Sequence, residues 1–242
     1  MQEPTPGQRR TPLTRSAVLA AAVAMADRRG IDAVSMRHLA HELGVVPMAL
    51  YRHVANKEEL LDGMVESIIA EIELPPSGAD WRSAVRQRIM SARRVLLRHP
   101  WASLVIASRA QPTAIVLGYI DSLVATLRNG GLSAELTHQV MHTLGSRMWG
   151  FNLEVFPSAP PPEDPATRAQ LLAQLAAVYP HIAEIASAGT HSTGTIVGRG
   201  CDDQAEFEFG LDVLLDGFAA LHARGWRPGQ PVSSAGIGSS VD

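Results

Sequence analysis

The sequence predicts an all-α chain, and three observations carry that expectation. Apolar residues recur at the three-and-four spacing of a buried helical face through most of the chain. Capping residues and glycine or proline stops bracket those runs. Strand-like alternation is nearly absent, with "TGTIVGRG" (Thr193 to Gly200) the one fragment that hints at it. At 242 residues and 46% apolar, the chain is long enough for a sizeable core in one or two domains.

The elements follow in order. Residues 1–11 read as a flexible basic arm. A first helix runs from about Thr14 to Arg29 and stops at Gly30. Ser35 caps a second, whose stripe is Met36, Leu39, Ala40 and Leu43. Gly44 ends it, and Pro47 suits the first turn of a third helix, Pro47 to Val54, that turns Leu50 and Val54 inward. Asn56 caps a fourth, with Glu59 three residues on in the manner of a capping box. Its apolar positions are Leu60, Leu61, Met64, Val65, Ile68, Ile69 and Ile72. "PPSGAD" (Pro75 to Asp80) breaks the pattern, giving a head at 12–73 and a body at 80–224. In the body, Trp81 to His99 buries Val85, Ile89 and Leu96 and leaves an arginine-rich face, with a break at His99-Pro100. Helices follow at about 101–108 and 112–129, then from a Ser133 cap to about Val155, then 166–188, then Asp203 to Ala223. Residues 225–242 have the composition of a disordered tail.

Bulk chemistry narrows the function classes. The single cysteine, Cys201, cannot form an internal disulfide and suits a reducing compartment. No apolar run approaches the roughly 20 residues that span a membrane, and the polar, proline-rich start lacks a signal-peptide core, so a cytoplasmic location without membrane partners is expected. Net charge is −3, but residues 1–57 hold eight Lys/Arg against four acids, leaving 13 basic against 20 acidic residues elsewhere. A basic end on an acidic body is the asymmetry of a nucleic-acid-binding head.

Three short helices with a glycine turn before the third make a helix-turn-helix, whose last helix must offer a DNA groove groups that touch base edges and phosphates. Arg52 suits guanine or phosphate, Pro47, Met48 and Ala49 suit thymine methyls, Tyr51 and Lys57 suit phosphate oxygens, and Arg37 suits phosphate or a nearby base. His53 shares that face, and Arg9, Arg10 and Arg15 suit either sequence-blind attraction or a reach into a minor groove. Each of these side chains alone is more often a solvated surface group; the case is their coincidence on one short helix behind the turn.

Residues 13–63, with "GIDAVSMRHLAHELGV" followed by "ALYRHVANKEEL", closely resemble the DNA-binding head of tetracycline-repressor (TetR) family regulators. The resemblance implies an all-helical homodimer, one half-site of a pseudo-palindromic operator per head, and a ligand-binding C-terminal domain. It places DNA contacts on Arg37, Pro47, Met48, Ala49, Tyr51, Arg52, His53 and Lys57. The family often has Ser or Thr at the start of the third helix and Thr before the Leu-Tyr pair; this chain has Val46-Pro47 and Ala49. "LLRHPWASLV", "LVATLRNGGLSAEL", "GFNLEVF" and "EFEFGLDVLLDGFAAL" look like the C-terminal subgroup that includes the tetracycline repressor itself. The histidine that would meet drug-chelated magnesium a little after "RHPW" is replaced by apolar "LVIA", so a different small-molecule effector is expected, although Glu154 matches a family pocket position.

Trp101, Tyr119, His138, Met141, Arg147, Trp149, Phe151 and Glu154 combine aromatic, soft apolar and a few polar groups, as ligand cavities do, and core packing accounts for the same mixture. Leu136, Val140, Leu144, Met148 and Phe151 on one late helix, and Phe207, Leu211, Leu214 and Phe218 with Gly210 and Gly217 on the last, suit a four-helix interface between two copies. An enzyme is not expected. His38 and His41, three apart beside Glu42, lack a third ligand at metal spacing, Cys201 lacks an activating partner beyond Arg199, and no G-x-S-x-G or phosphate-cradling glycine loop occurs. No cofactor or metal is therefore expected. The alternative to a regulator is an all-helical small-molecule-binding or protein-interaction module without DNA binding.

Overall fold

The computed structural model describes residues 12–109, 111–150, 164–188 and 203–232. Among these the regular structure is helical, with no strand. The chain divides into two compact units, residues 1–126 and 127–242.

In the first unit, α1 (Arg15–Arg29) opens on Thr14, whose hydroxyl accepts from the Ala17 amide, and buries Val18, Leu19, Ala22, Met25 and Ala26. A 3-10 turn (Ile31–Ala33) leads to α2 (Met36–Glu42), capped by Ser35, whose hydroxyl accepts from the His38 amide. α3 is Pro47–Leu50 and α4 is Lys57–Ile69. Gly63 of α4 lies against α1 so closely that a Cβ would stand 2.7 Å from Leu19 Cδ2. The Asn56 side chain accepts from the Glu59 amide, while Glu59 Oε2 accepts from Ala55, one residue ahead of the cap, so two orphan donors at this helix start are satisfied.

α5 (Trp81–Arg98) is capped by Asp80. Its hydrogen bond from the Ser83 side chain, more than the one from the Ser83 amide, holds the Asp80 carboxyl below the usual carboxylate range. α6 (Ala102–Ser108) and α7 (Ala114–Asn129) follow. The expected outward arginine face of α5 is only partly outward. Arg88 and Arg93 are buried. Arg88 lies three residues after Val85 and four before Ala92, inside the buried stripe rather than opposite it.

In the second unit, α8 (Ala134–Gly150) starts at Ser133, whose hydroxyl accepts from the Leu136 amide. The expected helix over 166–188 is two helices, α9 (Pro165–Val178) and α10 (Pro180–Ala188). Pro180 has no amide hydrogen to donate and pushes Tyr179 out of helical geometry, to φ −130° and ψ 69°. α11 (Asp203–Ala223) buries Phe207, Leu211, Leu215 and Phe218; Leu215 rather than Leu214 is the fully buried leucine of that stripe. "TGTIVGRG", Cys201, Arg9 and Arg10 lie outside the described residues. Among the described residues, no helix is long and apolar enough to cross a membrane.

Candidate nucleic-acid interface

The turn between α2 and α3 is set by hydrogen bonding at the end of α2. The Gly44 amide donates to His41 O at 3.1 Å and the Val45 amide to Ala40 O at 2.9 Å, the paired bonds of a Schellman motif. That motif requires a left-handed residue, and Gly44 supplies it at φ 64°. The chain then re-enters helix at Pro47, the first residue of α3, where a missing amide hydrogen leaves nothing unsatisfied.

α3 is shorter than the expected Pro47 to Val54. Its last carbonyl, Leu50 O, accepts from both His53 (2.8 Å) and Val54 (3.0 Å), so residues 51–53 tighten into a turn. Four residues are too few to hold a helix in water. The order of α3 comes from Leu50, which is fully buried, and from Val54, buried just beyond it. Fully burying a leucine contributes about 1.5–3 kcal/mol.

With those two side chains inward, the remaining groups are turned out. Met48 is 70% exposed and Tyr51 46%. Pro47 and Arg52 are exposed, and Ala49 and His53 are half-buried. Lys57 is exposed on the first turn of α4, and Arg37 is exposed on α2. The cations differ in their commitments. Arg15 reaches Glu59 and Glu66 at 3.9 Å and Arg28 pairs with Glu42, whereas Arg37, Arg52 and Lys57 pair with no carboxylate among the described residues. Of the two α2 histidines, His38 places Nδ1 3.1 Å from Ala33 O, and His41 is exposed.

Behind this surface, polar contacts fasten the first four helices to α5 and α6 within the same unit. One oxygen, Asp27 Oδ1 on α1, lies 2.8 Å from His99 Nδ1 and accepts the Trp101 indole N–H at 2.7 Å. A carboxylate only accepts, so His99 carries a proton on Nδ1. Glu71, just past α4, accepts from Arg98 at 2.6 Å and lies 3.5 Å from His99 Nε2. Arg109, after α6, reaches back to Asp62 at 3.0 Å and to Glu58 on α4. Residues 27 and 99 are 72 apart, and no local pattern announces their contact.

The expected ligand-binding residues fall as follows. Trp101 is buried with its N–H committed to Asp27, and Tyr119 is buried on α7, in the first unit. In the second unit, His138 is exposed on α8, its ring centroid 4.4 Å from that of His142, and Met141 is half-buried. Arg147 and Trp149 belong to the backbone of the last turn of α8, while Phe151 and Glu154 lie outside the described residues.

Comparison with known proteins agrees with this architecture. Residues 18–64 match the family described as "Bacterial regulatory proteins, tetR family", and residues 74–222 match "Tetracyclin repressor-like, C-terminal domain". The chain is 29% identical over 221 residues to an HTH-type transcriptional regulator of Saccharopolyspora erythraea, covering 86% of this chain and 85% of that one. It is 28% identical over 228 residues to the HTH-type transcriptional repressor DrrR1 of Streptomyces coeruleorubidus, covering 92% and 83%. Among solved structures it is similar to apo ActR from Streptomyces coelicolor, with a TM-score of 0.68 at 26% identity over 89% of this chain and 99% of that one. ActR in complex with actinorhodin gives 0.66 at 29% identity over 87% and 98%. A chain whose described regular structure is helical, whose turn presents an exposed short helix, and whose residues 18–64 and 74–222 match two successive family domains belongs to the TetR family of helix-turn-helix, DNA-binding transcriptional regulators.

Proposed function

We propose that two copies of this chain bind a pseudo-palindromic operator as a repressor, each inserting the α3 surface into a major groove, and that a small molecule in the C-terminal part releases them. The carrying observation is the outward set Met48, Tyr51 and Arg52 on a segment pinned by the buried Leu50 and Val54. In this reading Arg52 meets a base or phosphate, Pro47, Met48 and Ala49 meet thymine methyls, and Tyr51, His53, Lys57 and Arg37 fix register on the backbone. A C-terminal partner helix suits the exposed Phe209 and Val213 of α11, and a two-fold pair of heads about 34 Å apart fits successive major grooves. Residues Trp101, Tyr119, His138, Met141, Arg147, Trp149, Phe151 and Glu154 remain the candidate effector contacts.

The ion pairs of Glu71 with Arg98 on α5, and of Arg109 after α6 with Glu58 and Asp62 on α4, give the release a route. A ligand acts only by favouring one arrangement of the body over another, and about 2–3 kcal/mol of coupling changes operator affinity by tens- to hundreds-fold. Solvent-exposed DNA contacts also predict salt-sensitive binding.

The test is a gel-shift titration against the DNA upstream of the chain's own gene at several salt concentrations. Binding that weakens with salt, and that falls at least tenfold in Tyr51→Ala and Lys57→Ala at unchanged thermal stability, is expected. Wild-type affinity in both variants would remove the groove assignment, and no binding by the folded protein would favour a module without DNA binding.

A further inference from the structure

The first unit buries a positive charge that no carboxylate among the described residues neutralises. Arg88, on α5, is 6% exposed, and its Nε has no hydrogen-bond partner among the described residues. A guanidinium keeps its charge and presents N–H donors only. One turn to either side on the same face stand Ala84 and Ala92, which offer it nothing polar. What it does meet is the ring of Tyr119, with Cζ 4.7 Å from the centroid, an attractive but partial compensation. Tyr119 is 8% exposed, and among the described residues its hydroxyl proton finds no acceptor. Burial raises the Tyr119 pKa above its ordinary value of 10.0, against the opposing pull of the Arg88 charge and of an Arg88 N–H directed at the phenol oxygen, so the hydroxyl keeps its own proton to donate.

Two unsatisfied donors, one of them cationic, side by side in a buried place, lack one thing: an anionic oxygen acceptor. Buried charges are ordinarily paired, and buried hydroxyls ordinarily bonded. We propose that Arg88 and Tyr119 form a subsite for the carboxylate of the effector, the guanidinium gripping both oxygens and the phenol donating to one of them. This rests on the effector-responsive reading given above and names the ligand class: a largely apolar molecule with one carboxylate. A site kept for a ligand carries an instability in the empty protein that a purely structural arginine does not.

The experiment uses the full chain and two flat probes of nearly equal shape, 2-naphthoate and 2-naphthamide, which differ by one negative charge. Thermal unfolding and operator gel shifts are recorded for wild type, Arg88→Met and Tyr119→Phe. Naphthoate raises the wild-type Tm at concentrations at least tenfold below naphthamide. Arg88→Met erases that preference, Tyr119→Phe reduces it several-fold, and without probe Arg88→Met melts no lower than wild type. The proposal is overturned if Arg88→Met without probe melts several degrees lower or fails to fold, if wild type shows no preference for the charged probe, or if the preference survives in Arg88→Met. A charge preference with the operator complex untouched would remove the ligand-release reading and leave the subsite standing. Operator release by both probes alike would do the reverse.

Discussion

Replacing Asp27 by alanine should loosen the fastening between α1 and the α5–α6 corner, and the cost can be worked from the contacts. Asp27 Oδ1 takes two short hydrogen bonds, from His99 and from the Trp101 indole. Bonds to a charged acceptor contribute roughly 1.5–3 kcal/mol each, and the aspartate side chain is 29% exposed, which argues for the lower end. Trp101 is 4% exposed, so its N–H would be left buried and unmet, whereas His99 keeps Glu71 at 3.5 Å. The sum is about 3 kcal/mol, or about 6–12 °C in Tm for a chain of this size. Circular dichroism melts of wild type, Asp27→Ala, Trp101→Phe and the double variant form the assay. Phenylalanine keeps a ring and removes the donor, so the cycle should return a coupling of about 1–2 kcal/mol. A coupling below about 0.5 kcal/mol, or an Asp27→Ala loss under about 1 kcal/mol, would refute the claim that this carboxylate holds the corner.

Other consequences are checked in the same way. Asn56→Ala removes the α4 cap and should cost about 1 kcal/mol, read as 2–4 °C in Tm. Leu50→Ala should cost about 3 kcal/mol and weaken operator binding even at temperatures where the far-ultraviolet signal remains native, because that side chain holds α3; full affinity in the folded variant would contradict this. Tyr119 has a raised folded-state pKa, so the stability it confers is complete below pH 10.0, the unfolded value, and is lost as pH rises from there through the folded value. Tyr119→Phe should therefore lose less Tm than wild type between pH 9 and pH 11.

What the sequence made legible was local. Thr14, Ser35, Asn56 and Ser133 announce helix starts because a short oxygen side chain meets the amide three residues on, and Gly44 announces the turn because its backbone conformation excludes most residues. Leu50 and Val54 were readable as inward by spacing alone. Illegible features depended on distance along the chain or on overriding a habit of reading. Nothing near Asp27 points to His99. Arg88 reads as a surface residue by type although its position, between Val85 and Ala92, belongs to the buried face. Tyr179-Pro180 is the same kind of boundary as His99-Pro100, but the apolar run across it masks the break.

The economy of the α3 anchor has a consequence for how such regulators diversify. Because the inward side chains Leu50 and Val54 anchor the segment, Met48, Tyr51 and Arg52 stand outside the packed interior and can be exchanged at little cost to folding. After a gene duplication, one copy could acquire a new chromosomal address through a handful of codon changes there. On the proposed groove role of α3, its lineage would diverge fastest at those three positions while the packed interior behind them stayed unchanged.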